Sequence, residues 1–274
     1  VSADRSPPSE ALRLSGLVIC LNEEARIGAC LASLAFCDEV VVVDSGSTDR
    51  TLELARSHGA RIFERPYTGQ NDQKDFGRTV ARGDWLFVLD ADEVASPELA
   101  EEVRAVAQGG APADVDAYRI PFRNRFRGVW VRRAGYYPDP HVRLVRRAKV
   151  HWDKTAPVHD RVVVEGRIGA LSGHVDHFSF RSLAHFLEKS ERYAEGFARS
   201  AHAQGRRASV ATIALHTVTR FVKCYLVKGG FLEGPMGLVI SGLQAFETFQ
   251  KYARLWELGR FGPEAGGERD RDVG

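Results

Sequence analysis

The 274-residue chain is 44% hydrophobic and 27% charged, an ordinary globular composition with room for one large domain or one domain and an appendage. Its formal net charge of +2 gives no global case for nucleic-acid binding. Cys20, Cys30, Cys37 and Cys224 form no C-x-x-C pair and sit in apolar stretches, which predicts buried free thiols in a reducing compartment rather than disulfides or a zinc site.

The opening "VSADRSPPSEALRLSG" lacks the apolar core of a signal peptide, and residues 1–13 are expected to form a flexible leader. "LSGLVICL" (14–21) predicts a buried strand, and "EEARIGACLASLAF" a helix with Ile27, Leu31 and Leu34 on one face. "DEVVVVD" (38–44) is a second strand, its β-branched run typical of a parallel strand covered on both faces. "SGSTDRTLELARSHG" reads as a turn and a helix closed by Gly59, with Asp49 as a helix cap. "ARIFERP" is a third strand, "NDQKDFGRTVARG" a third helix ended by Gly83, and "DWLFVLD" a fourth strand. "SPELAEEVRAVAQG" opens a helix with Ser96 as N-cap and Pro97 at the first position. This alternation predicts an α/β fold, a doubly wound, Rossmann-like, mostly parallel sheet with helices on both faces.

After residue 112 the pattern changes. "DAYRIPFRNRFRG" and "HVRLVRRAKVHW" predict strands of a mixed or antiparallel extension, so residues 14–178 form the sheet domain. Residues 179–260 form a C-terminal helical extension, and the polar, Gly-rich tail 261–274 is expected to be disordered. Val210, Ile213, Ala214, Thr217, Val218, Phe221, Val222 and Tyr225 line one helical face. Val239, Leu243, Phe246, Phe249, Ala253 and Trp256 repeat the pattern in a last helix. No window reaches the ~18 uninterrupted apolar residues of a membrane span, and a cytoplasmic location is expected.

In sheets of this class ligands collect at the carboxyl ends of the strands. Asp44, Asp90 and Asp92 fall at strand ends, and Glu23 lies just beyond the first. Residues two apart in an extended chain point to one side, so Asp90 and Asp92 are expected to face one point. Two carboxylates so aimed repel each other unless a cation sits between them, and Mg²⁺ or Mn²⁺ meets that need with oxygen ligands. The plainer alternative has Asp92 and Glu93 favouring the dipole of the next helix, which explains Glu93 better than Asp90. "VVVDSGSTDRT" holds only Gly46 where a dinucleotide fingerprint needs three glycines. An NAD-type cofactor or a methyltransferase is therefore disfavoured, and Asp44 is free to accept hydrogen bonds from a ribose or a base edge.

Together "LVICLNEEARIGACLASL", "VVVDSGSTDRT" and "QKDFGRTVARGDWLFVLDADE" resemble the inverting glycosyltransferase family 2, with its GT-A fold and D-x-D motif. "YYPDPHVRLVRR", "VHDRVVVEG" and the helical stretches after residue 173 are similar to a branch that builds lipopolysaccharide inner core, the β-1,4-glucosyltransferases acting on heptose. The chain departs at Lys74-Asp75 and His159-Asp160, where many relatives have Lys-Asn and His-Glu.

The resemblance implies transfer of a hexose from a nucleoside diphosphate, UDP by family default, to a hydroxyl of a glycan or lipid-linked oligosaccharide acceptor. It makes Asp92 a direct metal ligand, lets Asp90 orient ribose and metal, and has His177 in "DHFSF" complete the metal shell. Glu23 and Asp44 would hold the nucleoside. Lys74 would reach the base or a phosphate, and Arg143 a phosphate or the acceptor. The plainer alternatives are a surface lysine and a solvated strand charge. Asp160 is the first choice of catalytic base, with Asp139 in "YYPDPH" its competitor. Lys223, Lys228, Lys251, Arg254 and Arg260 among apolar helical stripes suit contact with the anionic inner face of the cytoplasmic membrane. A helical lid or a homodimer interface is the alternative. Two rival functions stand beside this one. "LDADEV" also fits the opening of a haloacid-dehalogenase-like Mg²⁺ phosphatase, though three strand–helix units precede it and no later acidic pair is evident. The other rival is a non-catalytic glycan- or membrane-binding scaffold.

Overall fold

The computed structural model describes residues 13–154 and 161–262. Among them, one compact unit holds the residues up to Arg125 together with Pro138–Ser179, and a second holds Phe126–Tyr137 with those from Phe180 onward. The segment Phe126–Tyr137 thus groups with the C-terminal helices rather than with the sheet.

In the first unit, β1 (Leu14–Cys20), α1 (Ile27–Ser33), β2 (Glu39–Asp44), α2 (Thr51–Ser57), β3 (Arg61–Glu64), α3 (Gln70–Val80) and β4 (Trp85–Asp90) alternate as the sequence predicts. The short β5 (Glu93–Ala95) precedes α4 (Pro97–Ala105), whose N-cap Ser96 accepts from the Leu99 N–H. Then follow β6 (Val115–Phe126), β7 (Val129–Trp130), which falls in the second unit, β8 (Pro140–Arg146), β9 (Val150–Trp152), β10 (Val162–Val164), β11 (Arg167–Ala170) and β12 (Val175–Phe180). The main sheet runs β3-β2-β1-β4-β8-β6-β12-β5. Its first four strands are parallel, and β8 joins both β4 and β6 antiparallel.

The parallel strands are apolar on both sides because both faces are covered. Along β4, Trp85, Phe87 and Leu89 pack with Ile27, Leu31 and Leu34 of α1 and its C-terminal end, and with Leu99 of α4. Leu86 and Val88 face the other way, toward Leu17, Phe76 of α3 and Trp152 of β9. Cys20, Cys30 and Cys224 are buried, Cys37 is half-buried, and all four are free thiols, as expected.

The second unit is built on α5 (Leu183–Ala203), α6 (Val210–Val222) and α7 (Gly234–Phe261). The apolar stripe read from the sequence of α7 is not the face that α7 buries. Its buried residues are Gly237, Ile240, Ser241, Gln244, Ala245 and Leu255, while Val239, Phe246 and Phe249 are exposed. Apolar side chains fall on most sides of its N-terminal half, so periodicity does not select the packed face there. Small residues do: a Cβ on Gly237 would lie 1.7 Å from the Gly230 carbonyl oxygen, so only glycine allows that approach. Among the described residues Val210–Val227 is long and apolar enough to cross a membrane by length and composition, although Arg220 and Lys223 interrupt its apolar run.

Candidate active site

The site gathers at the carboxyl ends of β1, β2 and β4, where parallel strands release their chains into loops. The loop after β2 is shaped by Asp44. This fully buried carboxylate accepts the Gly46 and Ser47 N–H groups at 2.8 Å each, the Ser47 hydroxyl, and the Cys20 thiol. Asp49 accepts the Thr51 N–H at 3.0 Å beside the start of α2 and the Glu24 N–H at 3.1 Å.

The D-x-D does not present both acids to one point. β4 ends at Asp90 and β5 begins at Glu93, so a turn at Ala91 and Asp92 breaks the two-residue alternation. Asp90 turns to two cations: Lys74 Nζ lies 3.0 Å from Oδ1 and Arg143 Nη2 lies 3.2 Å from Oδ2. Burial opposes the Asp90 charge, but Lys74 and Arg143 outweigh it and hold the carboxyl at about 2. Lys74 is itself fully buried, its side chain 0% exposed, and so is neither a surface lysine nor, in this arrangement, a reaching one. Arg143 is also buried. Its Nη2 makes a second bond of 2.7 Å to Glu93 Oε1, and its guanidinium lies 5.2 Å from the Phe122 ring. Neither a solvated charge nor a freely extended phosphate ligand describes it.

Glu93, 1% exposed, takes the place expected for Asp90. It accepts the Asp90 N–H at 2.9 Å, and burial pushes its carboxyl up to about 7 against the pull of Arg143. The β5–β12 register sets His177 opposite Glu93. Ligand atoms of Asp92, Glu93 and His177 all lie within 4.8 Å of one another, a spacing one divalent ion can span. His177 Nε2 is 3.6 Å from Asp92 Oδ2. Its Nδ1 meets Asn124 Oδ1 at 2.8 Å, and the Asn124 amide donates to Asp139 Oδ2 at 3.0 Å. With Asn124 so oriented, Nδ1 donates to it and Nε2 is turned toward Asp92. Oxygen donors with one imidazole suit Mg²⁺ or Mn²⁺, and Asp92 and His177 are the half-exposed members of the group.

Asp139 also pairs with His141 Nε2 at 3.1 Å; burial opposes its charge, but His141 and the Asn124 amide hold its carboxyl below the usual range. Asp160 and His159 lie outside the described residues. Sequence reasoning missed Arg26. Its Nη1 is 3.2 Å from Asp92 Oδ2 and its Nε 3.4 Å from Glu23. Its Nη2 is buried without a hydrogen-bond partner. The only sequence signal is an arginine three residues after Glu23, one helical turn away.

Residues 15–161 match the family model described as Glycosyl transferase family 2. The chain belongs to this family. It is 31% identical to an uncharacterized glycosyltransferase of Rickettsia typhi over 90% of this chain and 87% of that one. It is also 31% identical to the lipopolysaccharide core biosynthesis glycosyltransferase LpsC of Rhizobium meliloti, over 88% of this chain and 94% of the relative. A crystal structure of S. aureus TarS residues 1–349 in complex with UDP-GlcNAc aligns over 91% of this chain and 92% of that one, at 16% identity and a TM-score of 0.49. The family 2 glycosyltransferase described here has the GT-A architecture, but its sheet is mixed rather than mostly parallel: four parallel strands carry an antiparallel extension, and helices follow in the chain.

Proposed function

We propose that this family 2 glycosyltransferase moves a hexose, glucose by resemblance, from UDP to a heptose hydroxyl of the lipopolysaccharide inner core. Transfer inverts the anomeric centre, and the enzyme works at the inner face of the cytoplasmic membrane. The observation that carries the donor half is the grouping of Asp92, Glu93 and His177 at the end of β4, backed by Lys74, Arg143 and Arg26. The name of the LpsC relative supports the acceptor half.

Inverting transfer needs stabilisation of a departing diphosphate and removal of a proton from the acceptor hydroxyl. A divalent cation held by Asp92 and His177 would supply charge neutralisation and Lewis acidity at the diphosphate. Lys74 and Arg143 keep Asp90 ionised and fixed beneath that group. The unused Nη2 donor of Arg26 suits a phosphate oxygen. Glu23 and Asp44 frame the nucleoside loops, Asp44 by holding Gly46 and Ser47 in place. Asp139 is held by His141 and the Asn124 amide, and Asp160 is taken as the group that receives the proton.

The test offers UDP-glucose, UDP-galactose, UDP-GlcNAc and GDP-mannose, each with Mg²⁺ or Mn²⁺ and a heptose-terminated core oligosaccharide. UDP release and product mass are recorded. The expected result is one hexose added from one UDP-sugar, lost in Asp92→Ala and in Asp160→Asn. Release of inorganic phosphate without a glycan product supports the phosphatase, and nucleotide binding without any turnover supports the scaffold.

A further inference from the structure

We propose that α6, with the outward face of α7, seats the protein on an anionic lipid bilayer, lying in the interface rather than crossing it. This deepens the membrane contact of the proposed function and rests on that reading. No residue of Val210–Val222 is buried, although the helix has a half-buried inner side. That side is tied to α7. The His216 ring stacks on Tyr252 with centroids 4.1 Å apart and planes 6° from parallel. Arg220 Nη2 donates to Gln244 Oε1 at 2.8 Å, and Gln244 Nε2 donates to the Ala134 carbonyl at 2.8 Å.

The other side of α6 has no partner among the described residues. Leu215, Val218, Val222 and Leu226 recur at helical spacing and form one apolar stripe; Leu215 is 63%, Val218 60% and Leu226 56% exposed. On α7, Leu238, Phe246 and Phe249 form a second exposed stripe. Side chains of this size left in water at helical spacing on two packed helices mark an interaction surface.

Charge selects the occupant. From Arg206 through Leu232 the chain holds five Lys or Arg and no Asp or Glu. Arg206 and Arg207 stand before the α6 stripe and Lys228 after it, all exposed, with Lys223 beside it. A second copy of the chain would bring the same positive rim against this one and be repelled. An anionic headgroup layer brings the opposite charge, and the basic side chains lie where their stems can follow the apolar face while their heads stay in water. The same charges argue against a spanning helix. Arg220 and Lys223 would fall inside the hydrocarbon, where each is costly, and the inner face would have to leave its α7 partners. An apolar face with a basic margin is the pattern of a helix lying in the interface plane.

The experiment is flotation of the full chain with vesicles of about 30% phosphatidylglycerol in phosphatidylethanolamine, against pure phosphatidylcholine. No donor or acceptor is present, so the outcome is independent of transferase activity. Binding to the anionic vesicles is expected to be at least ~10-fold tighter and to weaken in about 0.5 M salt. Leu215→Gln/Val218→Gln/Leu226→Gln, all at exposed positions, is expected to lower binding at least ~10-fold with an unchanged circular-dichroism melt. Lys223→Gln/Lys228→Gln should lose the preference for anionic lipid while keeping the same melt. Four results overturn the proposal: no vesicle binding by the wild type, no difference for the triple variant, release only by detergent and not by alkaline carbonate, or a solution dimer that the triple variant dissociates.

Discussion

Arg143 bridges the buried Glu93 and the half-buried Asp90, and replacing it should expose how the acidic turn is held. In Arg143→Met the apolar stem remains to pack near Phe122, while Glu93 loses its 2.7 Å partner and Asp90 its 3.2 Å one. Breaking a buried ion pair from one side costs about 3–5 kcal/mol. Two features place this case at the low end. Asp90 keeps Lys74 at 3.0 Å, and Glu93, its carboxyl already raised to about 7, relieves its stranded charge by taking up a proton. The expected loss is about 3 kcal/mol at pH 7.5, or roughly 6–12 °C in the melting of a unit of this size. Urea unfolding followed by circular dichroism, in chelator, measures it. Adding Glu93→Gln to the variant removes the stranded acid and should restore about 1–2 kcal/mol. A single variant within about 1 kcal/mol of wild type, or a double variant no more stable than the single, would refute the shared-clamp argument.

Arg26→Gln removes a positive charge 3.2 Å from Asp92, and titration of the nucleotide-free protein with Mn²⁺ should show binding about 10-fold tighter; unchanged or weaker binding counts against competition between Arg26 and the ion. Gly83→Ala should destabilise the first unit by roughly 1–3 kcal/mol in denaturant titration, because its Cβ would lie 2.7 Å from the Ser15 backbone nitrogen; a neutral effect would mean the β1 backbone yields there. Asp72 is held at about 2 by the Thr68 hydroxyl, Lys154 and Arg65, below its ordinary 3.8. The lowered value makes its contribution full above pH 3.8 and lost as pH falls toward 2. Melts of wild type and Asp72→Asn should therefore converge across that window, and a gap that stays constant would contradict the assignment.

The strand–helix alternation was legible because β1, β2 and β4 each hold a run of at least four consecutive apolar residues, and because Ser96 and Pro97 mark the start of α4 without ambiguity. The acidic convergence at strand ends was legible for the same reason, since topology puts those ends together. The direction of Asp90 was not, because alternation holds only while the strand lasts and β4 stops there. Burial of Lys74 and Arg143 was equally hidden. Periodicity assigns long basic side chains to solvent, and their acid partner, Asp90, is remote in sequence from both. Arg26 carries no motif at all. The packed face of α7 was not legible, because it is set by where small residues permit close contact, which only the packed structure shows.

The pairing of β12 with β5, which sets His177 opposite Glu93, also orders events in time. A chain emerging from the ribosome can complete β1 through α4 with every acid of the turn in place and still lack the imidazole that faces them. Until β12 docks, Asp92 and Glu93 lack the imidazole that faces them, and nonlocal strand pairing of this kind is among the slower steps of folding. The ion site proposed above would accordingly be complete only after β12 has docked on β5.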